Sequence, residues 1–251
     1  MRLVLQFAYD GTAFHGYARQ PQVKTVEGDV ISLLIKHGFI EDAVQSVFRS
    51  ASRTDKGVSA LCNVVAFNTD TSPRKLVRTL SKEPSDILFY GAAKVNNSFY
   101  PRHAQARSYR YYLKKQTIDS DMILTSASLF TGEHNFSNFA RMESFKDPVR
   151  VIYNIAVTET DSFFVIDFYA QTFLWHQIRK MMAAIEKIAR GDLAKEHLVD
   201  ALHNPEKPID FGLAPPEPLI LMNIVYDITF GYDMNVREKV NELERRIASR
   251  L

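Results

Sequence analysis

The 251-residue sequence is poor in several features that would otherwise define its class. Cys62 is the single cysteine, which excludes an intrachain disulfide and a cysteine-based metal site, and its apolar surroundings predict a buried side chain. No apolar run reaches the roughly 18 residues that a membrane span needs. The opening residues, MRLVLQFAYD, do not have the layout of a signal peptide. We therefore expect a cytoplasmic protein in a reducing environment.

An excess of one charge is also missing. The net charge is +2, which does not by itself demand a polyanionic partner. Hydrophobic residues make up 46% of the chain and charged residues 24%, as in ordinary globular proteins that bury a core. The length suits one large domain or two small ones.

Strand and helix patterns are mixed in both halves of the chain. Residues 2–9 and 106–113 alternate in polarity as strands do, whereas residues 26–40, 173–190 and 234–251 place apolar side chains at helical spacing. Further strands are predicted at 46–50, 62–68, 87–95, 150–158, 163–170 and 219–230, and a further helix at 73–82. This mixture predicts an α+β fold with an antiparallel sheet.

Asp55, in the stretch SRTDKGVSA, is the first candidate for chemistry, since Arg53 and Lys56 flank it. Asp-Lys-Gly suits an ordinary turn aspartate. An aspartyl phosphate is a second interpretation, but that chemistry needs Mg²⁺ and further carboxylates nearby, and the sequence has none there. The third is a carboxylate that acts on a bound substrate without a metal.

Three other stretches combine rings and cations. FHGYARQ (14–20) and SFYPRHAQARSYRYYLKK (98–115) interleave aromatic with basic residues, which is typical of RNA-binding surfaces, although a sheet with buried tyrosines and solvated cations fits equally well. WHQIRK (175–180) places Arg179 near the apolar stripe of a helix. A partly buried arginine there needs an anionic partner, and the alternative is a side chain that extends to solvent.

Seven stretches, in chain order, resemble motifs of one known family. They are YDGTAFHGYARQ, TVEGDV, SRTDKGVSA, ARSYRYYL, GEHNFSNF, FLWHQIRKM and PEPLIL. Together they are similar to the motifs of the TruA family of tRNA pseudouridine synthases, from Tyr9 to about Asp227, and SRTDKGVSA resembles its most specific signature.

The resemblance implies a role for each matching residue. Asp55 would be the catalytic aspartate, Tyr109 the residue that stacks on the target base and takes part in a later proton transfer, and Arg179 the partner that keeps the aspartate ionised. The remaining matches imply substrate contacts: Arg53, Lys56 and Arg107 to the flipped-out nucleotide, and Leu219 to its base. No metal and no cofactor would be needed.

The sequence also departs from the family pattern. Ser59 stands where bacterial members usually have His, so that KGVSA is closer to archaeal and eukaryotic relatives. Tyr17 replaces a Trp, Ser52 and Pro218 replace glycines, and Gln177 replaces a Met. None of these changes affects Asp55, but they bear on which uridines are modified.

The family fold would comprise two ferredoxin-like lobes, 1–103 and 104–251, that share a continuous antiparallel sheet with a central active-site cleft. Its members are homodimers that modify uridines 38, 39 and 40 of the tRNA anticodon stem-loop. We expect the same here, with the helix over 234–251 as a candidate dimer contact, and pseudouridine synthesis at other tRNA positions as the alternative.

Two unrelated functions compete with this one. An idle RNA-binding module would keep the basic and aromatic surface but would not need Asp55 and Arg179 together. A metal-dependent hydrolase would need a ligand spacing that the histidines do not have. They are His15, His37, His103, His134, His176, His197 and His203.

Overall fold

The computed structural model describes residues 1–115 and 118–251. The strands within them are β1 Arg2–Tyr9, β2 Arg49–Ser50, β3 Ser59–Asn68, β4 Ile87–Lys94, β5 Ala106–Lys114, β6 Gly132–Asn135, β7 Val149–Glu159, β8 Phe163–Ala170, β9 Leu219–Val225 and β10 Gly231–Tyr232. The helices are α1 Val26–Lys36, α2 Pro73–Leu80, α3 Ser120–Ser128, α4 Gln177–Ala189, α5 Lys195–His203 and α6 Met234–Ala248. The α+β class predicted from the sequence is confirmed.

The chain forms two compact units, and the first joins Met1–Gln105 to Ile220–Leu251. Its strands follow the order β10-β4-β1-β3-β9, and β2 also pairs with β3. These pairs are antiparallel, except that β3 and β9 run parallel through Ser59 and Ala60. The sheet in this unit is therefore mixed, where the sequence predicted an antiparallel one.

The predicted lobe boundary near residue 103 lies close to the end of the first segment at Gln105, but the C-terminal segment differs. The sequence placed it with the second lobe, whereas the structure places Ile220–Leu251 in the first unit. The physical reason is pairing and burial, since β9 and β10 extend the first unit's sheet and α6 packs against β3 and β4.

The apolar stripe of α6 is buried within its own unit. Val236, Val240, Leu243 and Ile247 are each at most 6% exposed. The amphipathic pattern of this helix therefore reflects packing on its own sheet, and its apolar stripe is not available for a dimer contact.

The second unit, Ala106–Leu219, contains the antiparallel sheet β5-β8-β7-β6 with α3 and α4 packed together. The inward residues of α4 are almost fully buried, and they include Met181, Met182 and Ile185. An aromatic cluster completes this core, with Phe139 stacked on Phe211 at 5.0 Å between ring centroids.

Candidate active site

Asp55 lies in the loop between β2 and β3, where the chain makes a tight turn. The N–H of Val58 donates to the carbonyl of Asp55 at 3.2 Å, and Gly57 adopts a φ of +87° that favours glycine. Asp55 itself is half-buried, whereas Arg53 and Lys56 are exposed on either side of it. The turn interpretation of this aspartate is therefore correct as local geometry, and two exposed cationic residues flank it in the sequence of the loop.

Buried hydrogen bonds hold the residues that precede Asp55. The hydroxyls of Thr54 and Tyr9 lie 2.8 Å apart, and the carbonyl of Thr54 accepts from the N–H of Tyr17 at 3.2 Å. Asn63, fully buried on β3, donates its side-chain amide to the carbonyl of Ser52 at 3.0 Å and to Tyr9 at 3.3 Å. The loop is thus tied to β1 and β3 before any substrate binds, which is the preorganisation that a catalytic group needs.

The turn after β1 supports the other side of the same loop. The N–H of Gly11 donates to the hydroxyl of Ser59 at 2.9 Å. A Cβ on Gly11 would lie 2.2 Å from the carbonyl oxygen of Val58, so only glycine permits this contact. Ser59, the departure from bacterial relatives, therefore has a structural role as an acceptor for the turn.

Asp10 fixes this turn through its carboxylate. Its Oδ1 accepts from the N–H and hydroxyl of Thr12 at 3.1 and 2.7 Å, and its Oδ2 lies 2.7 Å from the guanidinium of Arg250. Burial alone would raise the pKa of Asp10. The hydrogen bonds from Thr12 and the interaction with Arg250 outweigh that effect, so that the pKa lies below its usual value.

In the second unit, β5 presents a buried face that carries two of the predicted residues. The face was predicted from the alternation of this strand, and the residues on it are at most 9% exposed: Arg107, Tyr109, Tyr111 and Leu113. Tyr109 meets Phe173 edge to face at 5.3 Å between ring centroids, and Arg107 donates to the carbonyl of Gln171. Both side chains are therefore held by the segment that leads into α4.

Arg179 is half-buried in the first turn of α4. Its Nε donates to the carbonyl of Ala214 at 2.8 Å, and its own carbonyl accepts from the N–H of Ala214 at 3.1 Å. This two-way link fixes the orientation of the guanidinium. The backbone carbonyl was not expected as a partner, because a sequence does not show which distant carbonyl an arginine meets.

Leu219 begins β9 and is 5% exposed. Its N–H donates to the carbonyl of Pro216 at 3.0 Å, and the carbonyl of Pro218 accepts from the N–H of Tyr112 on β5 at 3.1 Å. Its side chain is therefore placed by a proline-rich turn that is itself attached to the strand of Tyr109.

The structure thus groups the predicted site residues within each unit. Asp55, Arg53 and Lys56 share one loop of the first unit. The other predicted residues lie in the second unit, on β5, on α4 and at the start of β9: Arg107, Tyr109, Arg179 and Leu219. Sequence reasoning missed the supporting residues Tyr9 and Asn63, and the only available signal was the presence of polar groups in otherwise apolar strands.

Within residues 1–115 and 118–251, no group of three or more His, Cys, Asp or Glu side chains is arranged to hold a metal ion. None of the helices in this described part of the chain combines the length and apolar character that crossing a membrane requires.

Comparison with known proteins identifies the family. Residues 126–227 match a family model described as tRNA pseudouridine synthase. The tRNA pseudouridine synthase A of Thermococcus sibiricus is 41% identical over 98% of this chain and 93% of its own. The proteins of the same name from Pyrococcus furiosus and Methanothermobacter thermautotrophicus are 36% and 37% identical over 100% and 90% of this chain, and over 92% and 82% of their own.

One solved structure shows a weak likeness: that of an H/ACA RNP bound to a substrate RNA containing 2′-deoxyuridine. The alignment covers 74% of this chain and 43% of the chain in that structure, at 14% identity and a TM-score of 0.39. So weak a likeness adds nothing to the assignment, which depends on the full-length relatives. The chain belongs to the tRNA pseudouridine synthase A family, and it is an isomerase that forms pseudouridine in tRNA.

Proposed function

We propose that this enzyme modifies uridines 38, 39 and 40 in the anticodon stem-loop of tRNA, with Asp55 as the catalytic carboxylate and without a cofactor. The observation that carries the choice of Asp55 is its position in a braced turn, half-buried between the exposed cations Arg53 and Lys56. The resemblance of SRTDKGVSA to the family signature supports the same residue, and the resemblance of the whole chain to the family supports the target region.

The chemistry fits a carboxylate that acts alone. Pseudouridine formation breaks the N1–C1′ bond of uridine, rotates the uracil and forms a C5–C1′ bond, while C5 loses a proton and N1 gains one. The product has the composition of the substrate, so no electron donor or acceptor is consumed. An ionised Asp55 can add to C1′, or it can remove the C2′ proton to give a glycal.

The first unit offers charge for the nucleotide backbone. Arg53 and Lys56 are exposed in the loop of Asp55, where they can contact the phosphates next to a flipped-out uridine. Unstacking that base costs roughly a few kcal/mol, which contacts in the pocket must offset.

The second unit offers rings, apolar surface and further cations. Tyr109 is the proposed stacking partner of the target base, and Leu219 the apolar contact that keeps water from the detached uracil. Stacking on one aromatic ring contributes about 1–3 kcal/mol per base. Arg107 is proposed to contact the nucleotide, and Arg179 to act as the partner of the catalytic carboxylate. The fixed orientation of Arg179, through Ala214, supports a role that needs a precise geometry.

The test compares wild type with Asp55→Asn on an unmodified tRNA transcript in buffer that contains EDTA. Pseudouridines are mapped by carbodiimide labelling and primer extension, and tRNA binding is measured in parallel. Asp70→Asn, the same substitution at an exposed aspartate of the first unit, is the matched control. We expect stops at 38, 39 or 40 with wild type and Asp70→Asn, and none with Asp55→Asn.

Each other result changes a separate part of the proposal. Primer-extension stops at other tRNA positions would support the proposed reaction but would assign it to a different region of the tRNA. Activity that is lost in EDTA would show that a metal takes part. Activity retained by Asp55→Asn would remove this residue from the mechanism, and binding without any stops in wild type would favour the idle RNA-binding module.

We also propose that the enzyme works as a homodimer, on the resemblance to the family and on an exposed apolar row of β7. Val149, Val151 and Tyr153 occupy alternate positions there and are 37%, 43% and 51% exposed. A dimer in sedimentation that Val151→Asp converts into a monomer would support this surface. A wild-type monomer at micromolar concentration would refute the proposal.

A further inference from the structure

Ahead of α4, two cationic or ionisable side chains surround an exposed indole. The guanidinium of Arg141 lies 4.3 Å from the ring centroid of Trp175, and the ring of His176 lies 5.1 Å from it. Trp175 is 42% exposed, although tryptophan is usually largely buried. We refer to Arg141, Trp175 and His176 as the Trp175 platform.

The backbone holds this platform in place. The N–H of Arg141 donates to the carbonyl of Trp175 at 2.8 Å, which ties the two segments together. The buried Gln177 accepts from the N–H of Leu174 through its side chain at 2.8 Å, so that the turn around Trp175 is closed on itself. The platform is therefore formed without a ligand, which lowers the entropic cost of binding one.

The backbone of His176 carries the strain of this arrangement. Its φ is +64°, a left-handed conformation that costs a non-glycine residue of order 1–2 kcal/mol. Strain of this kind persists where the surrounding structure enforces it, and it is concentrated at functional sites. The left-handed conformation of His176 places its ionisable ring against the exposed indole. It also prevents α4 from extending further towards its N-terminus.

The loop that carries Arg141 is also exposed and partly apolar. Met142 is 37% exposed and Phe145 is 82% exposed, whereas the cation of Lys146 is paired with Glu143. Rings and apolar surface combined with cations are what single-stranded nucleic acid requires, since bases stack and phosphates pair with the cations.

We propose that the Trp175 platform stacks a base of the substrate tRNA other than the target uridine. This inference rests on the proposed function, and it adds a second point of contact on the RNA. Trp175 lies four positions before Arg179, so a base on the platform would bind beside the helix that carries a proposed site residue.

A nucleobase fits the platform better than a bare phosphate does. A phosphate would need the cation alone, whereas Arg141 lies over an indole that is itself 42% exposed. Both an arginine plane and a tryptophan ring stack on bases, and together they offer one preformed aromatic and cationic surface.

A similar pair in the first unit provides a matched control. The guanidinium of Arg237 lies 4.7 Å from the ring centroid of Tyr232, which is 41% exposed. That ring has a structural role, because it stacks on the buried Tyr90 at 6.3 Å where β10 pairs with β4. Tyr232→Ala therefore removes an equally exposed ring under an arginine without affecting the platform.

Trp175 is the only tryptophan, so intrinsic tryptophan fluorescence reports on the platform alone. The titrants are the unmodified tRNA transcript, a single-stranded oligoribonucleotide and an abasic oligonucleotide of the same length. We expect both RNAs with bases to quench the emission in step with binding, and the abasic backbone to leave it nearly unchanged. A backbone contact would instead give equal quenching with all three, which would overturn the proposal.

Affinity of the variants for tRNA is the second measurement. Trp175→Ala should raise Kd about five- to a hundredfold, as expected for the loss of one base stack, with a parallel rise in KM that exceeds any change in kcat. Arg141→Lys keeps the charge but loses the planar group, so it should also weaken binding. Tyr232→Ala should bind as wild type does, and the unfolding midpoint of Trp175→Ala should stay close to that of wild type.

The dependence of binding on salt separates stacking from charge. Trp175→Ala should leave the slope of log Kd against log salt concentration unchanged, because no phosphate contact is lost. An unchanged Kd for Trp175→Ala, or an equal loss in Tyr232→Ala, would overturn the proposal. These binding measurements need no turnover. They can therefore refute the Trp175 platform without affecting the proposed role of Asp55, which the mapping experiment tests separately.

Discussion

Gly11→Ala tests how tightly the turn after β1 holds the loop that carries Asp55. The new Cβ would lie 2.2 Å from the carbonyl oxygen and 2.4 Å from the carbonyl carbon of Val58, and ordinary contact begins at 3.4 Å. The two segments must therefore separate by roughly 1 Å, since neither atom belongs to a flexible side chain. Overpacking of this kind costs typically 1–3 kcal/mol, and loss of the bond from the Gly11 N–H to Ser59 adds about 1 kcal/mol.

The same displacement should reduce activity. Val58 is hydrogen-bonded to Asp55 across the turn, so a shift of its carbonyl moves Asp55, the proposed catalytic residue. A misplacement of about 1 Å can cost on the order of a hundredfold in rate. The assay combines urea unfolding with the initial rate of pseudouridine formation on a tRNA transcript. We expect a free energy of unfolding about 2–4 kcal/mol lower and a kcat reduced by about ten- to a hundredfold.

Gly231→Ala is the control for adding a methyl group in the same unit. The nearest atom to its new Cβ is the carbonyl oxygen of Ala92 at 3.7 Å, an ordinary contact. Its stability should stay within about 1 kcal/mol of wild type, with an unchanged rate. If Gly11→Ala behaved like this control, within about 0.5 kcal/mol of wild type in stability and with wild-type rate, the argument for a rigid brace would be refuted.

Two further predictions concern charge. The pKa of Asp10 is lowered in the folded state. The ionised carboxylate therefore stabilises the fold above its unfolded pKa of about 3.9, and this stabilisation is lost as pH falls through the folded pKa. Asp10→Asn should lose less stability than wild type during acid unfolding between about pH 5 and 2. Arg110 holds Asp167 through two bonds of 2.9 Å, and Asp167 is only 14% exposed, so Arg110→Ala should lower the free energy of unfolding by about 1–3 kcal/mol. Lys115→Ala, at the more exposed pair with Glu159, should cost at most about 1 kcal/mol in the same urea titration, and equal losses would contradict the burial argument.

Much of the local structure could be predicted because it depends on short-range periodicity. The strand over 2–9 is β1, and the alternating stretch at 106–113 is β5. Helix ends were less predictable. α1 ends at Lys36 rather than at residue 40, because the chain turns at Gly38 with a φ of +65°.

Errors arose where the structure depends on distant partners. Helix α4 starts at Gln177 rather than 173, because His176 takes a left-handed conformation that apolar spacing does not reveal. The strands β6 and β10 were not predicted, since each is short. β10 depends on pairing with β4, far along the chain, and β6 depends on pairing with β7 after an intervening loop. The parallel pairing of β9 with β3 has no local signature for the same reason.

For the site, the sequence pointed to candidate residues by motif but not to the residues that support them. Asp55 and Tyr109 could be singled out by motif, because their types and order match the family. The support of Asp55 by Tyr9 and Asn63 could not be predicted, since it depends on the register in which β1 and β3 pair. The same limit applies to the bond between Arg179 and Ala214, which links residues 35 positions apart.

The division of the chain has a consequence for the order in which the protein is made. The second unit is one uninterrupted segment, whereas the first is split around it. During translation, residues 1–105 leave the ribosome before the strands that extend their sheet and the helix that packs on it. Almost all of the second unit is synthesised before β9 and α6 appear. The unit that carries Asp55 is therefore begun first and completed last, and its exposed sheet must avoid aggregation in the interval.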